Sequence, residues 1–237
     1  MANTFFRFKK FIIHQDRCGM KLSTDAVLLG ALASYTTPQK ILDIGTGTGA
    51  IALMLAQRYP YATIEAVEID KEAFDQASEN AALSPWNDYI NIFHRSFQEH
   101  AQESIGAFNL IVSNPPYFPD HIKSQDQQRN LALHNDALPF TELIDGVSKL
   151  LAPSGQFWVI LPERQMVDLE YLAVSKNLFP QEKVAIHNHP SGRVLRVIQA
   201  FGYHQAIFKE RRLYIRDEKR NYSYEYKALL KDFLLDF

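Results

Sequence analysis

The chain has 237 residues, 46% hydrophobic and 22% charged, with a formal net charge of -2, a composition that excludes disordered and fibrous proteins and allows one large buried core. Its apolar runs fall short of the roughly 20 residues that span a bilayer, charges interrupt the amino-terminal segment where a signal peptide is apolar, and one cysteine excludes a disulfide framework. We therefore expect a cytoplasmic monomer with no membrane partner, formed by a single domain, 1–237, whose amino-terminal extension, 1 to about 38, packs on it.

Short apolar runs alternate with amphipathic segments along the middle of the chain. The runs that predict buried strands are KILDIG, TIEAVEID, INIFHRSF, FNLIVSNPP and GQFWVILP. Helical spacing is found in the segments 50–59, 71–83, 139–151 and 164–177. This βαβ series predicts a parallel sheet covered on both faces.

The pattern changes after the last of these runs. EKVAIHNHP and RVLRVIQAFGYH are typical of strands, and Pro190, Ser191 and Gly192 between them indicate a turn without a helix. We expect an antiparallel hairpin at the sheet edge. The whole pattern predicts an α/β fold with a mostly parallel, seven-stranded sheet ending in this antiparallel hairpin, which resembles the Rossmann-like class I methyltransferase fold.

A glycine-rich loop follows the first predicted strand. Asp43 ends that strand, and a helix begins directly after Gly45, Gly47 and Gly49. Such glycines allow a sharp turn and let a ligand approach the backbone. The G-x-G-x-G spacing differs from the dinucleotide pattern, and the charge of Asp43 disfavours a pyrophosphate and suits an ammonium group, so S-adenosylmethionine fits. A glycine turn that serves only tight packing is the alternative.

Polar and aromatic residues at the next two strand ends extend this candidate site. Glu68 ends the second strand, where an acidic side chain accepts hydrogen bonds from ribose hydroxyls in this architecture. Ser96 and Phe97 close the third strand at the same sheet edge, where they are placed to flank an adenine ring, Phe97 by stacking. For these two residues an ordinary strand end is the alternative.

The stretch SNPPYFPD ends the fourth strand, so Asn114 is predicted to face the cofactor crevice. Consecutive prolines remove backbone donors and favour extended geometry, so folding alone rarely selects them. A conjugated NH2 group is a poor nucleophile, and the Asn114 side-chain oxygen and the Pro115 carbonyl can hold its hydrogens and stabilise the charge that methyl transfer creates. Pro115 and Pro116 keep these acceptors rigid, and Tyr117 offers a stacking surface. A kinked loop without a catalytic role is the alternative.

NPPY matches the (N/D/S)-P-P-(Y/F) motif of the amino-methyltransferases. With FRFKKFIIHQ, MKLSTDAVLLGALAS, DIGTGTG and YSYEYKALLKDF, nearly the whole chain resembles the bacterial tRNA1(Val) (adenine-37-N6)-methyltransferases. The resemblance implies S-adenosylmethionine as cofactor, tRNA as partner and methylation of the adenine N6 beside the anticodon. It also implies that Lys21, Ser23, Thr24 and Asp25 lie over the cofactor, with Thr24 and Asp25 as candidate contacts. Thr24 is also a candidate N-cap for a helix over 26–33.

We expect RNA contacts from basic residues near both ends of the chain and in the long polar segment 118–136. We also expect this segment to form a lid on the substrate side. The basic residues are Arg7, Lys9, Lys10, Lys123, Arg129, Arg211 and Arg212. A solvated face is the alternative for such charge clusters. His187 and His189 lie in the predicted hairpin turn, and we expect surface histidines and no metal site.

Three other functions share parts of this pattern. Protein glutamine N5-methyltransferases resemble the chain at NPPY, because a carboxamide presents the same NH2 group, but they normally carry a separate helical substrate domain ahead of the glycine loop. A DNA adenine enzyme is disfavoured for want of a target-recognition domain. A non-catalytic nucleotide-binding or RNA-binding module is the third reading, and the intact NPPY motif argues against it.

Overall fold

The structure is a computed structural model that describes residues 3–104, 107–116 and 138–237. A small antiparallel hairpin comes first, formed by β1 (Phe5–Arg7) and β2 (Ile12–His14). The strands of the main sheet are β3 (Lys40–Ile44), β4 (Thr63–Glu68), β5 (Ile90–His94), β6 (Phe108–Ser113), β7 (Leu151–Leu161), β8 (Phe179–His187), β9 (Val194–Gly202) and β10 (Lys209–Tyr214). The α-helices are α1 (Thr24–Leu32), α2 (Ala50–Arg58), α3 (Lys71–Ala82), α4 (Phe97–Glu103), α5 (Phe140–Leu150), α6 (Glu163–Ser175) and α7 (Tyr224–Leu230), and Asn87–Tyr89 form a 3-10 turn.

The main sheet has the order β10-β8-β9-β7-β6-β3-β4-β5. Its described strands run parallel except β9, which is antiparallel to both β7 and β8. Between β3 and β6 the chain order reverses, because β3 leads to β4 on one side and pairs with β6 on the other. Such a switch point opens a crevice at the carboxyl ends of the strands, where α/β proteins bind ligands.

Both faces of the sheet are covered, as the apolar strand sequences predict. Ile41 packs in one core cluster with residues of α1, α2 and α7, whereas its neighbour Leu42 packs in a second cluster with residues of α4, α5 and α6. Successive side chains of a strand point to opposite faces, so a strand with two buried faces must be apolar throughout. The α/β class and the parallel sheet are therefore confirmed.

The prediction of seven strands in the main sheet is wrong, because eight strands form this sheet in the described part of the chain. The additional strand, β10, has the sequence KERRLY and pairs in parallel with β8, so the antiparallel β8–β9 hairpin is confirmed but does not form the edge. Four of the six residues of β10 are exposed at its start, and charged side chains are typical of edge strands. Its sequence lacks the apolar alternation by which strands are recognised.

The N-cap of α1 also differs from the prediction. Ser23, and not Thr24, has the extended backbone of a cap, and its hydroxyl accepts a hydrogen bond from the Ala26 N–H at 3.1 Å. Thr24 is already the first residue of the helix. A cap side chain reaches the amide three residues ahead only from extended geometry, which adjacent Ser and Thr residues do not reveal in sequence.

The amino-terminal hairpin is held against α3. The buried side chain of Asn80 accepts a hydrogen bond from the His14 N–H and donates to the carbonyls of His14 and Thr48, each at 2.9 Å. Phe8 packs in the core cluster that also holds α1 and α2, and it forms an isolated bridge with Leu234. No helix in the described part of the chain is long and apolar enough to cross a membrane. The single-domain organisation over 1–237 stays a prediction.

Candidate active site

Three strand ends meet at the switch point of the sheet. Ile44, the last residue of β3, is the register partner of both Val67 in β4 and Ser113 in β6. The buried hydroxyl of Ser113 donates to the Ile44 carbonyl at 3.1 Å, which ties β6 to β3 at this level. The residues that follow are therefore brought together: the glycine loop, Glu68 and Asn114.

The glycine loop needs its glycines because of its backbone conformation. The φ angles of Gly45, Gly47 and Gly49 are 70°, 57° and 80°, a left-handed region that residues with a side chain rarely adopt. A Cβ at Gly45 or Gly47 would meet no atom within 4 Å, so the space in front of the loop is open to a ligand. The N–H groups of Gly45 and Thr46 both donate to the Val67 carbonyl at 3.0 Å and fix the turn.

Asp43 lies beneath this loop and is 0% exposed. Its Oδ2 accepts hydrogen bonds from the Thr46 hydroxyl at 2.6 Å and the Ala52 N–H at 3.2 Å, while Oδ1 is buried without a described partner. Burial raises the pKa of Asp43 to about 7, and the charge of Glu68 acts in the same direction. Asp43 lines neither of the cavities described below, so it braces the loop from behind. Its contact with an ammonium group stays a prediction.

Glu68 joins the loop to the start of the next helix. Its Oε2 accepts the Gly47 N–H at 2.8 Å, and its Oε1 accepts the N–H groups of Ile69 and Asp70, both at 2.9 Å. A carboxylate has about four acceptor positions, so these bonds leave capacity for a ligand hydroxyl. Glu68 also lines the larger cavity of the site, which puts this capacity where a ligand could use it.

Two cavities of about 340 and 430 Å³ adjoin in front of the strand ends. Both are lined by Met20, Gly45, Gly47, Asn114, Pro115 and Pro116. The larger cavity has an apolar wall that contains Ile44, Val67, Ile69, Phe97 and Leu138. The smaller cavity has polar groups, which are Lys21, Ser23, Asp25, Thr46 and Thr48. The site therefore has two compartments. Both compartments combine the two kinds of side chain, because Glu68 and Arg95 also line the larger one and Leu22 and Ile51 also line the smaller one.

Asn114 lies where the two compartments meet. It follows the last residue of β6 directly, is half-buried, and lines both cavities. No hydrogen bond joins its side-chain amide to another residue of the described ranges, and Pro115 beside it is buried. The predicted position of Asn114 at the carboxyl end of the fourth β-strand of the βαβ series is confirmed. Tyr117 lies outside the described residues.

The prediction that Ser96 and Phe97 end the third strand is wrong. The two residues begin α4 instead. Ser96 is the N-cap and forms a capping box with Glu99. The Phe97 ring is 5% exposed and packs against Gly146 of α5, where a Cβ would collide with it. Both residues line the larger cavity, so their roles beside an adenine ring stay predictions.

Thr24 and Asp25 face different cavities. Asp25 lines the smaller cavity and forms an ion pair with Arg196 of β9, with 2.7 Å between Oδ2 and Nε. Thr24 lines a third cavity of about 380 Å³, together with Arg7 and Tyr222. Asp25 is therefore placed toward the candidate site, whereas the Thr24 contact with a cofactor stays a prediction.

Met20, Ile69 and Leu138 line the site but were not singled out in the sequence. Met20 is 72% exposed and Ile69 is 41% exposed. Ile69 directly follows Glu68 at a strand end, which is the one sequence signal that could have identified it. An apolar residue just beyond a predicted ribose acceptor is suited to pack on the attached base.

Some of the basic residues predicted to bind RNA are bonded within the protein. The Lys9 ammonium donates to the carbonyls of Lys231 and, at 2.7 Å, Phe237 near the end of the chain. The Arg211 Nε lies 3.1 Å from a carboxylate oxygen of Glu182. Arg7, Lys10 and Arg212 are exposed. Lys123, Arg129 and the predicted lid, 118–136, lie outside the described residues, and the RNA contacts stay predictions.

The prediction of two surface histidines is wrong for His187. This residue ends β8 and is buried, and its Nδ1 lies 2.9 Å from the Gly192 carbonyl, whereas His189 is partly exposed. The strand β8 extends up to His187 and does not end before the predicted turn. The His187 side chain is therefore buried with the apolar residues that precede it. Within the described ranges, no group of three or more His, Cys, Asp or Glu side chains is placed to hold a metal ion.

The sheet order, the left-handed glycine loop and the Asn-Pro-Pro segment at the switch point define a class I methyltransferase. The chain matches the model of the methyltransferase small domain over residues 23–188. It belongs to that family, and the relatives that follow place it in a narrower group.

Curated relatives match over almost the whole length. A protein of Parabacteroides distasonis is 43% identical over 236 residues, which is 99% of each chain. One of Pseudoalteromonas translucida is 40% identical over 230 residues, 97% of this chain and 98% of the relative. Both are named tRNA1(Val) (adenine(37)-N6)-methyltransferase, and the chain is a member of the family that these proteins form.

Solved structures support the fold alone. A protein of Agrobacterium tumefaciens described as a predicted O-methyltransferase superposes with a TM-score of 0.70 at 18% identity, over 88% of this chain and 96% of that one. A methyltransferase of Pyrococcus furiosus gives a TM-score of 0.52 at 16% identity, over 79% and 90%. At these identities only the class I architecture is shared.

Proposed function

We propose that the enzyme transfers a methyl group from S-adenosylmethionine to the N6 amino group of adenine 37 in tRNA1(Val). The observation that carries this proposal is the position of Asn114, at the junction of the two compartments and beside a buried proline. The names of the full-length relatives supply the substrate. Asn114 and Pro115 supply acceptors suited to an amino group.

The donor set of the two compartments fits S-adenosylmethionine. The larger one suits the adenosine end, because Glu68 can accept from the ribose hydroxyls while Ile69 and Leu138 offer apolar surface to the base. The smaller one suits the zwitterionic amino-acid end, because Asp25 and the loop hydroxyl of Thr46 line it. When bound, the cofactor supplies an electrophilic methyl group on a cationic sulfur.

The protein prepares the nucleophile. The N6 nitrogen of adenine has its lone pair delocalised into the ring, and two acceptors that hold its hydrogens aim that lone pair and favour the positive charge that develops on it. The Asn114 Oδ1 and the Pro115 carbonyl are these acceptors, and the rigid Pro115–Pro116 backbone limits their motion. No general base is needed before transfer. The base must leave its stack to reach them, which an anticodon-loop nucleotide does at low cost.

A direct test separates the two substrate classes that fit an NH2-binding site. Incubation with radiolabelled S-adenosylmethionine and either bulk tRNA or bulk protein should place the label in the RNA fraction. Label confined to protein, on glutamine nitrogen, would replace the proposal by a glutamine N5-methyltransferase. Label in neither fraction would favour a non-catalytic binding module.

Replacing Glu68 by glutamine should weaken cofactor binding. A hydrogen bond to a charged group contributes about 1.5–3 kcal/mol, so we expect the Kd for S-adenosylmethionine, measured by calorimetry, to rise by about 10- to 100-fold. Glu72→Gln, an exposed change in the first turn of α3, is the matched control and should bind as the parent does. An unchanged Kd for Glu68→Gln in a folded protein would remove Glu68 from the cofactor site.

A further inference from the structure

A basic cavity lies apart from the two compartments of the candidate active site. It has a volume of about 570 Å³ and is lined by Asn188, His189, Ser191, Arg216 and Arg220. Each of these side chains can donate a hydrogen bond, and none of the described residues that line the cavity is acidic. This donor set is suited to an anion that carries several oxygen atoms.

The protein backbone builds this cavity from two segments that are distant in sequence. The turn after β8 and the loop after β10 are joined by hydrogen bonds from the Arg216 N–H to the Asn188 carbonyl at 3.0 Å and from the Ile215 N–H to the His187 carbonyl at 2.9 Å. Within the loop, Arg216 Nη1 donates to the Arg220 carbonyl at 2.8 Å. The fold therefore sets the position of the Arg216 guanidinium and of the Arg220 backbone.

The acidic residues of the same loop do not line the cavity. Asp217 uses its Oδ1 to accept the N–H groups of Lys219 and Asn221, both at 2.9 Å, which stabilises the turn. Glu218 is exposed and also lies outside the lining. The cationic groups of the lining therefore keep a net positive charge toward the cavity.

The cavity opens at the same edge of the sheet as the candidate active site. β8 is antiparallel to β9, which is antiparallel to β7, so β8 runs parallel to β7, and β10 runs parallel to β8. The carboxyl ends of β8 and β10 therefore lie on the same side of the sheet as the carboxyl end of β6, which is Ser113. Asn114 is the next residue. With strands about 4.8 Å apart, the lateral distance from β6 to β8 or β10 is roughly 14–19 Å.

The basic cavity is linked to the candidate active site through the third cavity. Leu22 and Ser23 line both the smaller compartment and the third cavity, which Tyr222 also lines. The Arg216 guanidinium lies 4.7 Å from the centre of the Tyr222 ring, and Arg216 also lines the basic cavity. The shared lining residues and the contact between Arg216 and Tyr222 therefore link the candidate active site to the basic cavity.

We propose that the basic cavity binds a backbone phosphate of the substrate RNA, several nucleotides from the target base. This inference rests on the proposed function, and it identifies Arg216 and Arg220 as the contacts that fix the RNA on the sheet edge. Arginine forks match the geometry of phosphate oxygens, and phosphate contacts set register and orientation without reading sequence. A phosphate held at this distance orients the RNA so that its unstacked adenine enters beside Asn114.

The test uses the full chain and an RNA with the anticodon stem-loop of tRNA1(Val), with binding followed by fluorescence anisotropy at several salt concentrations. Arg220→Asn is the variant, because Arg220 has a φ of 67°, which asparagine tolerates better than most residues. We expect about 5- to 10-fold weaker binding at low salt and a plot of log affinity against log salt that is shallower by about one unit. Lys176→Gln removes a charge at the opposite sheet edge, just before β8 begins, and should bind as the parent does.

The outcomes separate this inference from the proposed function. If the parent methylates the RNA but Arg220→Asn keeps the salt slope of the parent, the cavity inference is overturned and the function stands. If the parent binds the RNA without methylating it, the proposed function fails while the slope still decides the role of the cavity. If Arg220→Asn alters only stabilisation by inorganic phosphate, measured by thermal unfolding, the cavity takes a free anion and the RNA inference is overturned. A parent that binds no RNA overturns it as well.

Discussion

Replacing Asn114 by alanine is expected to lower the turnover of RNA methylation by on the order of a hundredfold or more, while the Kd for S-adenosylmethionine changes little. The reason is that the Asn114 oxygen gains most of its interaction energy when positive charge develops on the amino nitrogen. Removing an acceptor of this kind raises the barrier by roughly 3 kcal/mol. Single-turnover kinetics at saturating cofactor and RNA measures the effect.

A matched asparagine lies near the start of the strand that Asn114 follows. Asn109 near the start of β6 accepts hydrogen bonds from the N–H groups of Gln39 and Lys40 at 2.9 and 3.1 Å, far from the site. Asn109→Ala should lower the free energy of unfolding and leave turnover at the parental value. An equal loss of cofactor binding and turnover in Asn114→Ala would instead give Asn114 a structural role.

Replacing Asp43 by asparagine is expected to remove a large pH dependence of stability. The pKa of Asp43 is raised from 3.8 to about 7 in the folded protein, first because burial disfavours its charge. Between these values the folded state holds one proton more than the unfolded state, so the free energy of unfolding falls by about 1.4 kcal/mol per pH unit as pH rises. The contribution is complete below the unfolded pKa and lost by about pH 7, a change on the order of 4 kcal/mol.

Urea unfolding of the parent and Asp43→Asn between pH 4.5 and 7.5 measures this difference. Asparagine is neutral throughout and can still accept from Thr46 and Ala52, so the difference between the two curves isolates the carboxylate. Parallel curves would contradict a raised pKa for Asp43. Saturating S-adenosylmethionine should reduce the slope of the parent if the ammonium group lies near Asp43, because a nearby cation favours the charged carboxylate.

The parallel sheet could be predicted because its strands are largely apolar on both faces. The location of the candidate site could be predicted because polar residues lie at the carboxyl ends of these strands. Glu68 is the last residue of one strand and Asn114 directly follows another, and parallel strands bring such ends to one edge of the sheet whatever the detailed packing. The glycine loop could also be predicted, because few residues other than glycine adopt the left-handed backbone conformation of Gly45 and Gly47. These signals are local in sequence, and parallel topology converts them into proximity.

Other features depend on packing that no local pattern encodes. The sequence suggests that Asp43 faces a ligand, whereas its depth beneath the loop follows from how α2 covers the end of β3. The charged residues of β10 prevent its prediction as a strand from the sequence. The position of the following loop, which carries Arg216 and Arg220, could therefore not be predicted either. These two arginines line one cavity with Asn188 and Ser191 because β10 pairs in parallel with β8. The sequence of a charged edge strand does not indicate this pairing.

Nucleoside analysis of tRNA after incubation with the enzyme and S-adenosylmethionine is the most direct test of the central claim. The purified tRNA1(Val) is digested, its methylated nucleosides are identified by mass spectrometry, and the modified position is mapped. The account predicts N6-methyladenosine at position 37 with the parent and at most trace amounts with Asn114→Ala. A different methylated nucleoside, or equal N6-methyladenosine with Asn114→Ala, would contradict it.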